Sequence, residues 1–151
     1  MTTHIHPYPL KPETEKTIER LVELSDRSSW QAHQIDWSQK PQVPAGVPVS
    51  VYRDLVSQLY HAEQFTIEAC RRVQASTSNP VLIRFLDRQI TDEVRHAEVY
   101  RRYAQLLGGL TELNSALGRL FERAMEWSGS TVALVLAANV GMEGEAISQQ
   151  R

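Results

Sequence analysis

Apolar residues recur at steps of three and four along most of this chain, and short clusters of Pro, Gly, Ser and Asn interrupt them. That rhythm predicts helices and no convincing strand. Residues 1–12 hold three prolines and no periodicity, so they read as an extended arm. From Glu13 to His33 the spacing turns helical, with Ile18, Leu21, Val22 and Leu24 grouped and Trp30 near the end. Residues 36–48 contain Pro41, Pro44, Gly46 and Pro48 and form a loop by composition, with Ile35 and Trp37 expected to anchor it to the core. Pro48 suits the first turn of a second helix running to Ala75. After a short break at residues 76–79, Pro80 opens a third helix that runs to Leu107 and stops at Gly108 and Gly109. A fourth helix is predicted from Leu110 to Trp127 and a last one from Thr131, with Ser130 as its cap.

The fold class is therefore all-α, with long helices antiparallel where short turns join them. Two segments follow: residues 1–47, comprising arm, helix and Pro-rich loop, and residues 48–151, a helical bundle.

The inward stripes of the long helices carry ionisable residues at their centres. On the second helix the stripe reads Tyr52, Val56, Leu59, Glu63, Thr66, Cys70, Val73. On the third it reads Leu82, Leu86, Gln89, Glu93, His96, Tyr100, Tyr103, Leu107. On the last it is Val132, Leu136, Val140, Glu143, Ile147. An unpaired buried carboxylate costs several kcal/mol, so three of them with a histidine require a common explanation. One is a structural polar network, Glu63 with Arg95 or His96 and Glu143 with a nearby Arg. The other is a cation, which neutralises several carboxylates at once. Glu93 and His96, three apart, share a helix face and can address one ion. Oxygen-rich sites with some imidazole suit iron or manganese better than zinc.

Composition narrows the function classes. The 151 residues are 42% hydrophobic and 23% charged with net charge −2, which describes an ordinary globular domain. Basic residues are interspersed with acidic ones, which argues against nucleic acid as a partner. The first residues lack a secretory signal pattern, and the longest apolar run, residues 132–140, is too short to span a bilayer. A cytoplasmic protein without membrane contact is the expectation. The single cysteine, Cys70, lies in an apolar stripe and is expected to be a buried thiol. His4 and His6 form a His-x-His pair on the arm, a weak metal signal.

Glu63, then Asp92-Glu93-x-Arg95-His96, then Met142-Glu143-Gly144-x-Ala146 together resemble the ferritin-like di-iron carboxylate superfamily over about residues 48–150. The resemblance implies a ferritin-like helical bundle whose crossover contains an extra helix. It also implies two iron ions, with manganese the alternative: Glu63 and His96 on the first metal, Glu93 bridging, Glu143 on the second. The activity implied is that of a non-haem di-iron oxidase or oxygenase that activates dioxygen to oxidise a small organic substrate, with electrons from a separate reductase. A ferroxidase or iron-binding protein without organic substrate is the alternative, and a metal-free helical interaction module is a third reading. Tyr100, four after His96, stands where radical-forming tyrosines occur in ribonucleotide reductase small subunits, so it takes a redox or a hydrogen-bonding role. Ile147 stands where bacterial hydrocarbon hydroxylases carry a threonine, which weighs against that branch. Small residues near Glu63 (Ala62, Thr66, Ala69) and before Glu143 (Ala137, Ala138, Gly141) suit either a substrate cavity or close helix packing.

The family pattern ends in a second Glu-x-x-His that this sequence does not contain, and eight residues follow Glu143. The expectation is a bundle incomplete at its C-terminus, completed by a second polypeptide segment or by a homo-oligomer that lends a helix across its interface.

Overall fold

The computed structural model describes residues 10–127, and all regular structure among them is helical. The elements are α1 (Pro12–Ser28), a 3-10 turn (Ala32–Gln34), α2 (Val49–Ala75), α3 (Pro80–Leu106) and α4 (Ser115–Met125). The expected all-α class is what the protein adopts, in a form compatible with a helical bundle. No helix among the described residues is long and apolar enough to cross a membrane. The chain divides into two compact units, residues 1–113 and 114–151.

In the first unit α2 and α3 form a long hairpin. The turn between them is short because Asn79 caps α3: its side chain accepts from the amides of Val81 (2.9 Å) and Leu82 (3.1 Å), and Pro80 follows at the first helical position. Near the turn the Gln74 amide donates to Asp87, and at the far end Val56 packs with Ala104 and Leu107. These pairings run in opposite directions along the two helices, so the hairpin is antiparallel. Tyr52, Tyr100, Tyr103 and Val43 surround the Val56, Ala104 and Leu107 cluster, and the Tyr52 and Tyr103 rings meet edge to face with centroids 6.1 Å apart.

The first helix lies along a different side of α3 and runs parallel to it. Its polar contacts climb both helices in step: Glu15 accepts from Asn79 (3.0 Å), Asp26 pairs with Arg88 (2.7 Å), and Ser25 donates to Asp92 (3.2 Å). Val22 is the buried member of its apolar group, whereas Leu21 and Leu24 are exposed. Asn79 thus caps one helix and holds the start of another. Asn79→Ala is expected to cost about 1 kcal/mol, read as a lower midpoint in thermal unfolding, with Asn79→Ser recovering most of it.

Besides α1 starting at Pro12 instead of Glu13 and α4 ending at Met125 instead of Trp127, three boundaries differ from the periodicity. The first helix ends at Ser28, not at His33, because Ser29 turns to extended backbone (ψ 131°) and the Trp30 carbonyl accepts from Arg95 instead of continuing the ladder. The fourth helix starts at Ser115, not at Leu110. Residues 111–113 are held along α2 instead: the Thr111 amide donates to Ser57 Oγ (3.1 Å), its hydroxyl to Asp54 (2.7 Å), and Gln58 donates to the Glu112 carbonyl (3.0 Å). Within the second unit, the Asn114 side chain accepts from the amides of Ala116 and Leu117 and sets the first turn of α4. The third boundary is a one-residue shift: Leu107 caps α3 rather than closing it, and Gly108 and Gly109, both with positive φ, follow as expected. Of the two loop anchors, Trp37 is half-buried and donates through Nε1 to the Ala32 carbonyl (2.7 Å), but Ile35 is exposed.

Candidate metal centre

The turn of α3 from Asp92 to His96 sends its polar residues in two directions. Glu93 and His96 face α2, while Asp92 and Arg95 face α1 and the segment that follows it. Opposite Glu93 on α2 stands Glu63. One ligand atom each from Glu63, Glu93 and His96 can be chosen so that all lie within 4.8 Å of one another.

Glu93 is the buried member, with only 4% of its surface exposed. Its Oε1 accepts from the Gln89 amide (2.5 Å) and its Oε2 lies 3.0 Å from His96 Nδ1. His96 Nδ1 is also 3.8 Å from Glu63 Oε1, so one imidazole nitrogen addresses both carboxylates. Burial alone would raise the Glu93 pKa, but hydrogen bonds with His96, Glu63 and Gln89 together outweigh it and hold the carboxyl below its ordinary value. The group is therefore ionised at neutral pH although it is almost wholly removed from water.

Neighbouring acids register that environment. Burial first, and then the charge of Glu93, pushes the Cys70 thiol up to about 11, so it is a protonated, buried thiol as expected. Tyr100, half-buried one turn beyond His96, has its phenol raised by burial and by the charges of Glu63 and Glu93. It stays a neutral phenol beside the cluster.

Arg95 does not compensate either carboxylate. Its Nη1 donates to Ser29 Oγ (3.0 Å) and to the Trp30 carbonyl (2.7 Å), its Nη2 pairs with Asp92, and its guanidinium lies over the Trp30 indole, 4.9 Å from the centroid. Of the polar-network reading, the His96 contacts to Glu63 are present and the Glu63 to Arg95 pairing is not. Two acids and one imidazole form an oxygen-rich donor set. Donor atoms on opposite sides of one ion with bonds of about 2.1 Å lie roughly 4.2 Å apart, so a set within 4.8 Å fits one cation after carboxylate shifts of under an ångström. The residues present fit a transition metal ion.

Glu63, Glu93 and His96 are thus brought together, and Tyr100 lies beside them. Glu143, with Ile147, Ala137, Ala138 and Gly141, lies outside the described residues, as do His4 and His6. Two further residues contact the cluster, one of them already on the inward stripe. Gln89 was readable, since it stands four before Glu93 on the same face. Trp30 was not, because its contact with His96 depends on how α1 packs on α3.

A groove of about 390 Å³ lies elsewhere, lined by Trp37, Lys40, Pro41, Val43, Leu106 and Leu107 among others. Leu106 is ten residues beyond His96, about 15 Å along the helix axis, so this space does not adjoin the cluster. Near Glu63, the Thr66 hydroxyl donates to the Ala62 carbonyl (3.1 Å), and Ala69 is buried.

The fold and the site define a class: an all-helical protein with a carboxylate and histidine cluster between two antiparallel helices. Comparison with protein-family models, with curated proteins and with solved structures finds no match to this chain.

Proposed function

We propose that the protein binds iron through Glu63, Glu93 and His96 and acts as a ferritin-like non-haem di-iron oxidase or oxygenase on a small organic substrate. The observation that carries this reading is the convergence of these three donors from two helices, with Glu93 buried. The donor set is hard to borderline, which favours iron or manganese over thiolate-seeking ions.

In this reading Glu63, Glu93 and His96 would hold iron, and Glu143 would supply a further carboxylate. The chemistry iron supplies when bound is reduction of dioxygen, with electrons replenished by a separate reductase. The chain's own residues set the conditions. Gln89 fixes one Glu93 oxygen by hydrogen bonding, leaving the other directed at His96. Tyr100 places a protonated phenol next to the cluster, available as a hydrogen-bond donor or as a one-electron donor that gives up its proton in the same step. The remaining ligands would come from a further segment or a second copy of the chain.

The test is anaerobic titration of the metal-free 151-residue chain with Fe(II), followed by admission of oxygen. Saturation near two irons with limited oxygen uptake is the expected result. Oxidation of many irons per chain would instead identify a ferroxidase, and failure to bind Fe(II), Mn(II) or Co(II) at all would leave a helical interaction module.

A further inference from the structure

We infer that Trp30 is a positioning residue for His96: its indole, fixed by Arg95 and Asp92, holds the imidazole in the plane in which Nδ1 reaches Glu63 and Glu93. The inference deepens the function proposed above and rests on it where metal affinity is concerned.

The His96 side chain is 41% exposed, so burial alone does not select its ring orientation. Among the described residues the polar contacts of the ring run through Nδ1, at 3.0 Å from Glu93 and 3.8 Å from Glu63. The Trp30 indole lies against it, with centroids 6.2 Å apart and planes 29° apart. A half-turn about the Cβ–Cγ bond would carry Nδ1 away from both carboxylates. The stack sets the plane of the ring, and within that plane the contact of Nδ1 with Glu93 selects which of the two flipped orientations is taken.

Trp30 needs support of its own, because it lies between the end of α1 and the 3-10 turn, outside any helix. Arg95 provides it at two points: Nη1 binds the Trp30 carbonyl and the neighbouring Ser29 hydroxyl, and the guanidinium lies over the indole. Asp92 holds Arg95 through Nη2 and also accepts from Ser25 of α1. Arg95 is itself only 9% exposed. One turn of α3 therefore serves both ends of the arrangement. Asp92 and Arg95 fix the segment after α1, that segment fixes the indole, and the indole restrains the imidazole that follows Arg95. A ligand held in its binding orientation before the ion arrives loses less freedom on coordination, and such supporting contacts typically affect affinity by about 10–100-fold.

The experiment reads His96 in the metal-free 151-residue chain by NMR, using indole-to-imidazole cross-peaks and long-range correlations from its ring protons to Nδ1 and Nε2. In the unaltered protein these are expected to show the imidazole against the Trp30 ring with a single set of ring signals. Trp30→Ala should remove the ring-current shift of the His96 protons and average its ring signals, and Trp30→Phe should retain both. Trp30→Leu, which keeps apolar bulk without an aromatic face, decides the matter if Trp30→Ala does not fold. Co(II) titration of the same proteins is expected to show affinity weakened about tenfold in Trp30→Ala and within about threefold of the original in Trp30→Phe. Unchanged His96 ring signals in both Trp30→Ala and Trp30→Leu, or equal losses in Trp30→Phe and Trp30→Ala, would overturn the inference. Absence of Co(II) binding to the unaltered protein overturns the functional reading instead, and the metal-free spectra still decide whether Trp30 orients His96.

Discussion

Glu93→Gln and His96→Ala are each expected to abolish tight Co(II) or Fe(II) binding, lowering affinity by at least about a hundredfold, since even supporting contacts around a metal typically matter 10–100-fold. Glu93→Gln is the sharper variant because it keeps the volume and the amide-sized polar group of a side chain that is only 4% exposed. It removes the charge and the oxygen that faces His96. Binding can be read through stability, since an ion present at a hundred times its dissociation constant raises the unfolding free energy by about 2.7 kcal/mol. For a chain of this size that corresponds to a rise in melting temperature of roughly 5–11 °C. The unaltered protein should show that rise and both variants should lose it. Glu68→Ala is the control: this carboxylate is on the same helix as Glu63 but is exposed beside Arg71, and its loss should leave the metal-induced rise intact. A full rise in Glu93→Gln would remove Glu93 from the ligand set and the bridging role with it.

The candidate site was legible in the sequence because two independent patterns constrain the same residues. Glu63 and Glu93 each occupy the apolar period of their own helix, and each lies fifteen residues from Ser78 in the turn between the helices. With Asn79 and Pro80 forcing a short turn and an antiparallel return, equal distance from the turn places the two acids opposite one another. His96 follows from Glu93 by helix geometry alone. The helix ends were legible where local chemistry sets them, at Pro48, Asn79 and Gly108. They were misplaced where a distant residue competes for the backbone. The Trp30 carbonyl is taken by Arg95, 65 residues away, and Thr111 is taken by Ser57 and Asp54. Arg95 shows the same limit from the other side. Its position two residues after Glu93 marks it as turned away from α2, yet nothing local says whether it meets solvent or a partner helix.

That hidden partner makes Arg95 a residue whose loss should damage the fold. Arg95→Ala is expected to destabilise the protein by about 2–3 kcal/mol, read as a fall of roughly 1 M in the urea midpoint with little change in slope. Breaking a fully buried ion pair by removing one partner costs about 3–5 kcal/mol. The value here lies below that range for two reasons. Asp92 keeps 32% of its side chain exposed and retains its bond from Ser25, so it is not stranded without water or a donor. Arg95 Nε is buried without a hydrogen-bond partner, so the intact pair already carries an uncompensated group. Arg95→Lys is not expected to rescue the loss. A single ammonium cannot reach Ser29, the Trp30 carbonyl and Asp92 in the divergent directions that a planar guanidinium spans, and it does not stack on the indole in the same way. Arg101 and Arg102 provide the contrast. Both bind Glu98 near the surface with slightly over a third of their side chains exposed, and Arg101→Ala should cost at most about 1 kcal/mol because Arg102 keeps the carboxylate paired. If Arg95→Ala proved as mild as Arg101→Ala, the segment after α1 would be held by packing rather than by the guanidinium. In that case the restraint on Trp30, and through it on His96, would have to come from elsewhere in the unit.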